Sequence, residues 1–81
     1  MSMYRLGTVT RFAQGLLIVR TPAGDAIESH DAIGTMALDD SLETVGRVVD
    51  LFGPVERPYL AVTPDEDVHV PALVGATLYA R

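Results

Sequence analysis

Short apolar, β-branched segments alternate along the chain with clusters of turn-forming residues at close and fairly even spacing. The turn signals are Gln14-Gly15, Thr21-Pro22-Ala23-Gly24-Asp25, Asp39-Asp40-Ser41, Gly53-Pro54 and Thr63-Pro64-Asp65-Glu66-Asp67. In such clusters Gly supplies positive φ, Pro fixes its own φ, and Asp or Ser side chains bond the nearby backbone. The segments between them predict strands over residues 6–12, 16–20, 35–38, 45–51, 59–63 and 76–79. Only residues 41–45 and 71–75 could complete a turn of helix, and neither carries an apolar stripe of helical period sustained over about ten residues.

Six short strands in one open sheet would leave a face uncovered and two edges free to pair with other chains, and closure removes both problems. The predicted fold class is therefore all-β, a small six-stranded closed β-barrel. With 81 residues the chain is expected to be one domain, 1–81, because two cores and a linker need more sequence. A domain of this size buries only roughly 60% of its unfolded surface, so every strand must feed the same interior.

Alternation falters at one place. Over residues 45–52 one face of a regular strand carries Val45, Arg47, Val49 and Leu51, and the other Gly46, Val48, Asp50 and Phe52. The reading that mixes least puts Val45, Val49 and Leu51 inside with Arg47 near the rim. Gly46, Val48 and Phe52 then face outward with Asp50, and an outward Val and Phe want a cover that a partner protein can supply.

Composition narrows the function classes. Eleven carboxylates face six basic residues, all arginine, for a net charge of −5. That charge repels phosphate and argues against a surface that tracks a nucleic-acid backbone. Acidic residues without lysine also suit a salt-rich cytosol, where counter-ions screen self-repulsion. Thermal stability is then expected to rise with added potassium chloride; a flat melting midpoint across a salt series would count against this reading. The absence of cysteine leaves no disulfide, thiolate or zinc-thiolate chemistry and fits a cytoplasmic location. The longest apolar run, residues 15–19, is far short of the ~20 residues that span a bilayer, and no leader pattern opens the chain.

No constellation of reactive residues suggests an enzyme. His30 and His69 each sit near carboxylates but without metal-ligand spacing. Ser29 and His30 are adjacent and cannot hydrogen-bond as nucleophile and base along an extended chain. The glycines are scattered singly rather than gathered into a phosphate loop. Asp39-Asp40 and Asp65-Glu66-Asp67 read as solvated turn charges, too short a series for calcium. A barrel of this kind can expose an aromatic to a base, and besides Phe52 the available ones are Tyr4, Phe12, Tyr59 and Tyr79; without interleaved cations they read as core. No catalytic residue, metal, cofactor, membrane or small-molecule substrate is expected.

Residues 51–59 stand apart. Gly53-Pro54 fixes a turn, and Pro58 denies a ladder donor at the start of the next strand. A stiff loop flanked by Phe52, Val55 and Tyr59 would lose little entropy on docking. It could equally be a β-turn whose apolar residues tuck back into the core.

Residues 45–55, Val-Gly-Arg-Val-Val-Asp-Leu-Phe-Gly-Pro-Val, followed by Pro58-Tyr59-Leu60-Ala61-Val62, resemble the signature of the Gar protein of box H/ACA ribonucleoproteins. Residues 6–9 with 15–19 resemble that family's opening hairpin, 33–37 its next strand and 73–79 its closing segment, so the resemblance covers essentially the whole chain. It implies a six-stranded split barrel of translation-factor type that binds the catalytic domain of the dyskerin-type pseudouridine synthase. The chemistry, guide-RNA-directed conversion of uridine to pseudouridine in rRNA, would belong to the synthase. The barrel would assist substrate loading and product release by steering a mobile loop, touching guide RNA only indirectly. The chain has no glycine- and arginine-rich tail, which points to a minimal archaeal form, and its acidity to a haloarchaeon. It departs from archaeal members in having no lysine around these strands, so the resemblance does not extend to a basic contact. On this reading Gly46, Val48, Phe52, Gly53, Pro54, Val55, Pro58 and Tyr59 form the partner-binding patch, with Phe52 and Tyr59 as anchors. An alternative is a barrel of the ribosome-maturation type, with a similar Gly-x-Val pattern, acting as an adaptor on a ribosomal protein.

Overall fold

The computed structural model describes residues 3–21, 33–54 and 56–80. Six strands follow in chain order: β1 Tyr4–Ala13, β2 Leu16–Arg20, β3 Met36–Leu38, β4 Thr44–Phe52, β5 Tyr59–Pro64 and β6 Thr77–Ala80. They close into a barrel in the order β1-β2-β5-β4-β3-β6, all neighbours antiparallel. The all-β six-stranded closed barrel expected from the turn spacing is therefore the observed fold. Each expected strand is present, with ends shifted by no more than a couple of residues.

One single-turn 3-10 helix, Val70–Leu73, precedes β6 and puts Leu73 into the interior. The chain after it bonds to β1, Gly75 N–H donating to the Val9 carbonyl at 2.8 Å and Val9 N–H to the Ala76 carbonyl at 2.9 Å. The β3–β4 turn is closed by Asp39, whose carboxylate accepts from the N–H groups of Ser41 (2.9 Å) and Glu43 (3.0 Å). This carboxylate organises backbone, as Asp does in turns.

Every strand supplies the core: Leu6 and Val9 from β1, Leu17 and Val19 from β2, Ala37 from β3, Val45 and Val48 from β4, Leu60 and Val62 from β5, Leu78 and Ala80 from β6. Burial of a Val or Leu side chain stabilises by about 1.5–3 kcal/mol, which a chain of this size needs from each of them.

The expected facing of β4 is corrected. Val48 lies inside, 1% exposed, and Val49 outside, 43% exposed. Two register shifts cause this. Opposite β3 the pairing steps from Ala37–Gly46 to Leu38–Thr44, and opposite β5 from Val48–Val62 to Asp50–Ala61. Each inserts one extra residue into β4, and a single inserted residue exchanges the two faces of the strand beyond it. Val45, Gly46 and Val48 thus all turn inward, while Arg47 faces out opposite Met36 and Thr63. Val45 was expected inside and is; Leu51 is half-buried against the core. Phe12, read as core, is instead 46% exposed near the β1–β2 hairpin.

Candidate functional site

Beyond the second bulge β4 runs in register with β5 to the end of the ladder, Leu51 opposite Leu60 and Phe52 opposite Tyr59. Leu60 is in the core, so the next pair, Phe52 and Tyr59, falls on the outer face. Their rings stack with centroids 5.6 Å apart and planes at 21°. On the other side of β5, Arg20 of β2 stands opposite Tyr59, its guanidinium carbon 5.8 Å from the ring centroid. One row across three strands is therefore cation, aromatic, aromatic. Such contacts add about 0.5–1.5 kcal/mol for the ring pair and about 0.5–1 kcal/mol for an exposed cation over a ring.

The adjacent row is Arg11, Ile18 and Ala61, consecutive partners on β1, β2 and β5, continuing to Asp50 on β4. Ile18 and Ala61 lie outside the core cluster yet are buried, so they form a dry floor beneath the longer side chains. Between the rows is an open groove of roughly 380 Å³ lined by Thr10, Arg11, Ile18, Arg20, Phe52 and Tyr59. Phe52 forms its rim at 43% exposure.

The loop from β4 to β5 is held in two ways. Gly53 adopts a φ of +95°, which favours glycine, and lies against the Tyr59 ring, where a Cβ would stand 3.0 Å from Cδ2. Arg57 N–H donates to the Pro54 carbonyl at 3.2 Å and closes a turn. Thr21, at the end of β2 and 1% exposed, then latches the loop. Its N–H and its hydroxyl donate to the Pro58 carbonyl at 3.3 and 2.7 Å, and its own carbonyl accepts from Arg57 Nε at 3.0 Å. A loop stiffened by Gly, Pro and three such bonds presents its surface with little ordering cost.

The expected patch is thus partly assembled and partly dispersed. Phe52, Gly53, Pro54 and Tyr59 come together on the outer face, with Phe52, Gly53 and Pro54 exposed. Gly46 and Val48 face the core because of the bulges, and Pro58 is buried with its carbonyl bonded to Thr21, so none of these three is offered to a partner. Val55 lies outside the described residues, as do Ser29 and His30. His69 is exposed at the start of the 3-10 turn, where its carbonyl accepts from the Ala72 N–H at 3.1 Å and its side chain makes no capping hydrogen bond. Among the described residues no three His, Cys, Asp or Glu side chains gather as metal ligands, and no helix is long and apolar enough to cross a membrane.

Arg11, Ile18, Arg20 and Thr21 escaped the reading of residues 45–59 as a self-contained motif. For Ile18 and Arg20 a signal exists, since they share a parity on strand 16–20 and so a face. Nothing local marks Thr21, whose partner is 37 residues away.

The fold these elements define is a Gar1-like barrel. No family profile and no curated protein matches the chain in sequence. Among solved structures it is similar to one described as the Gar1 domain of NAf1, with a TM-score of 0.68 over 99% of this chain and 87% of that one, at 10% sequence identity.

Proposed function

We propose that this chain is a non-catalytic accessory subunit of a cytoplasmic H/ACA-type RNA pseudouridylation particle, docking on the catalytic domain of the dyskerin-type pseudouridine synthase. The observation that carries the reading is the exposed Phe52, stacked on Tyr59 and buttressed by the Gly53-Pro54 turn, on a Gar1-like barrel. The docking patch comprises Phe52, Gly53, Pro54, Val55 and Tyr59, extended over the outer face of β2 by Ile18 and Arg20. Gly46, Val48 and Pro58 support it from within the barrel and the loop base. The interior is filled by apolar side chains from all six strands, and the site's chemistry is that of contact: rings, a dry floor and guanidinium groups.

The role is tested by mixing the chain with the synthase and a guide RNA and following pseudouridine formation with substrate RNA in excess and, separately, in a single round. Stimulation confined to repeated turnover is expected, since an aid to loading and release acts between rounds. A chain that neither co-elutes with the synthase nor alters turnover is not this subunit; recovery of ribosomal proteins from a native lysate in its place would favour the ribosome-maturation alternative.

A further inference from the structure

The groove beside Phe52 has a charge opposite in sign to the rest of the molecule. The whole chain carries −5, yet among the described residues the groove is lined by Arg11 and Arg20 and by no carboxylate. A third guanidinium, Arg57, is tied to the adjoining Thr21 carbonyl. The nearest carboxylate along the ladder is Asp50, at the far end of the Arg11–Ile18–Ala61 row, and its Oδ1 accepts from the Leu51 N–H at 2.8 Å.

Resting on the reading that a protein docks at this face, we infer that the groove takes an acidic segment of that protein, an apolar side chain flanked by carboxylates. The apolar side chain sits on Ile18 against the edge of the stacked Phe52–Tyr59 pair, and the carboxylates meet Arg11 and Arg20. Held over the Tyr59 ring, Arg20 keeps its N–H donors in the guanidinium plane, where they match a carboxylate in bidentate fashion. The dry floor strengthens those charge-assisted bonds relative to open solvent. A nucleic-acid strand fits less well. It would bring a phosphate with every residue onto a molecule of net negative charge, with only two cations in the groove to receive it.

The test titrates the isotopically labelled chain, followed by NMR, with three probes: a short peptide whose central phenylalanine is flanked by Asp and Glu, its Asn and Gln counterpart, and an oligouridylate of about ten nucleotides. The acidic peptide is expected to shift the Ile18, Phe52 and Tyr59 amides and the Arg11 and Arg20 side-chain N–H signals at a concentration at least fivefold below that of its amide counterpart. The difference should shrink as salt is raised and vanish in R11Q/R20Q. Equal binding of the two peptides would overturn the inference, and so would oligouridylate saturating the same signals at lower concentration. With the synthase itself, R11Q/R20Q should weaken binding by about tenfold and R11K/R20K by less. If wild type and R11Q/R20Q bind the synthase alike, the acidic-segment inference fails and the docking role stands. If the synthase does not bind but the acidic peptide does, the identity of the partner is wrong and the groove's preference is right.

Discussion

Replacing Phe52 and Tyr59 together by alanine is expected to abolish co-elution with the synthase, weakening binding at least a hundredfold, while leaving a folded monomer. The two rings form one stacked unit, so single truncations share their effect and the double variant reads the patch as a whole. Interface anchors of this kind cost about 2–4 kcal/mol each when truncated, and a hundredfold loss needs only about 2.7 kcal/mol. The fold should survive because neither ring belongs to the core cluster and the Leu51–Leu60 pair beneath them is untouched. A cooperative melt within several degrees of wild type, at the same elution volume, is the control. Binding retained by a folded double variant would place the docking surface elsewhere on the barrel.

How much of this could be read from the sequence depends on what each feature needs. The six strands were legible because Gly15, Gly53-Pro54 and Pro64-Asp65 punctuate them locally, and closure followed from having no other way to cover six short strands. The facing of β4 was not, because parity along a strand holds only while the register is unbroken. The visible trace of the break is that Val45 and Val48, three residues apart, are both apolar with Arg47 between them; with Val45 as the extra residue opposite β3, both can face inward. The residue opposite the bulge lies on another strand, and one sequence does not say which.

The candidate site divides in the same way. Phe52, Gly53, Pro54 and Tyr59 are neighbours along the chain and across one turn, so their proximity was local information. Arg11 and Arg20 reach the same groove only through the β1–β2–β5 pairings. Thr21 meets Pro58 only because β2 and β5 are adjacent. What distinguishes a stiff exposed loop from a turn folded back on the core was thus a long-range latch, with Phe52 left outside and Pro58 drawn in.

Gly46 carries the clearest reversal, and its substitution should be felt in stability with the outer patch intact. A Cβ on Gly46 would collide with the Thr63 carbonyl oxygen, and it would lie 3.0 Å from Cγ1 of the core residue Val62. Backbone cannot yield as a flexible side-chain end does, because the Thr63 segment is fixed by the β4–β5 ladder on which Gly46 pairs with Pro64 and Arg47 with Thr63. Gly46→Ala is therefore expected to cost about 3 kcal/mol or more, a large share of the roughly 4–12 kcal/mol available to a domain of this length, and to lower the melting temperature by about 12 °C or more. Two further variants locate the cause. Val48→Ala, which empties a fully buried position, should cost about 2 kcal/mol, and Val49→Ser, on the exposed side of the bulge, should stay within about 0.5 kcal/mol. If β4 were instead a regular strand with Val49 inside and Val48 outside, these last two effects would change places. Gly46→Ala would then spare the fold and weaken docking alone. Denaturant midpoints of the three variants, measured beside their affinity for the synthase, separate the two arrangements, and the bulged one predicts that whatever fraction of Gly46→Ala remains folded binds as the wild type does.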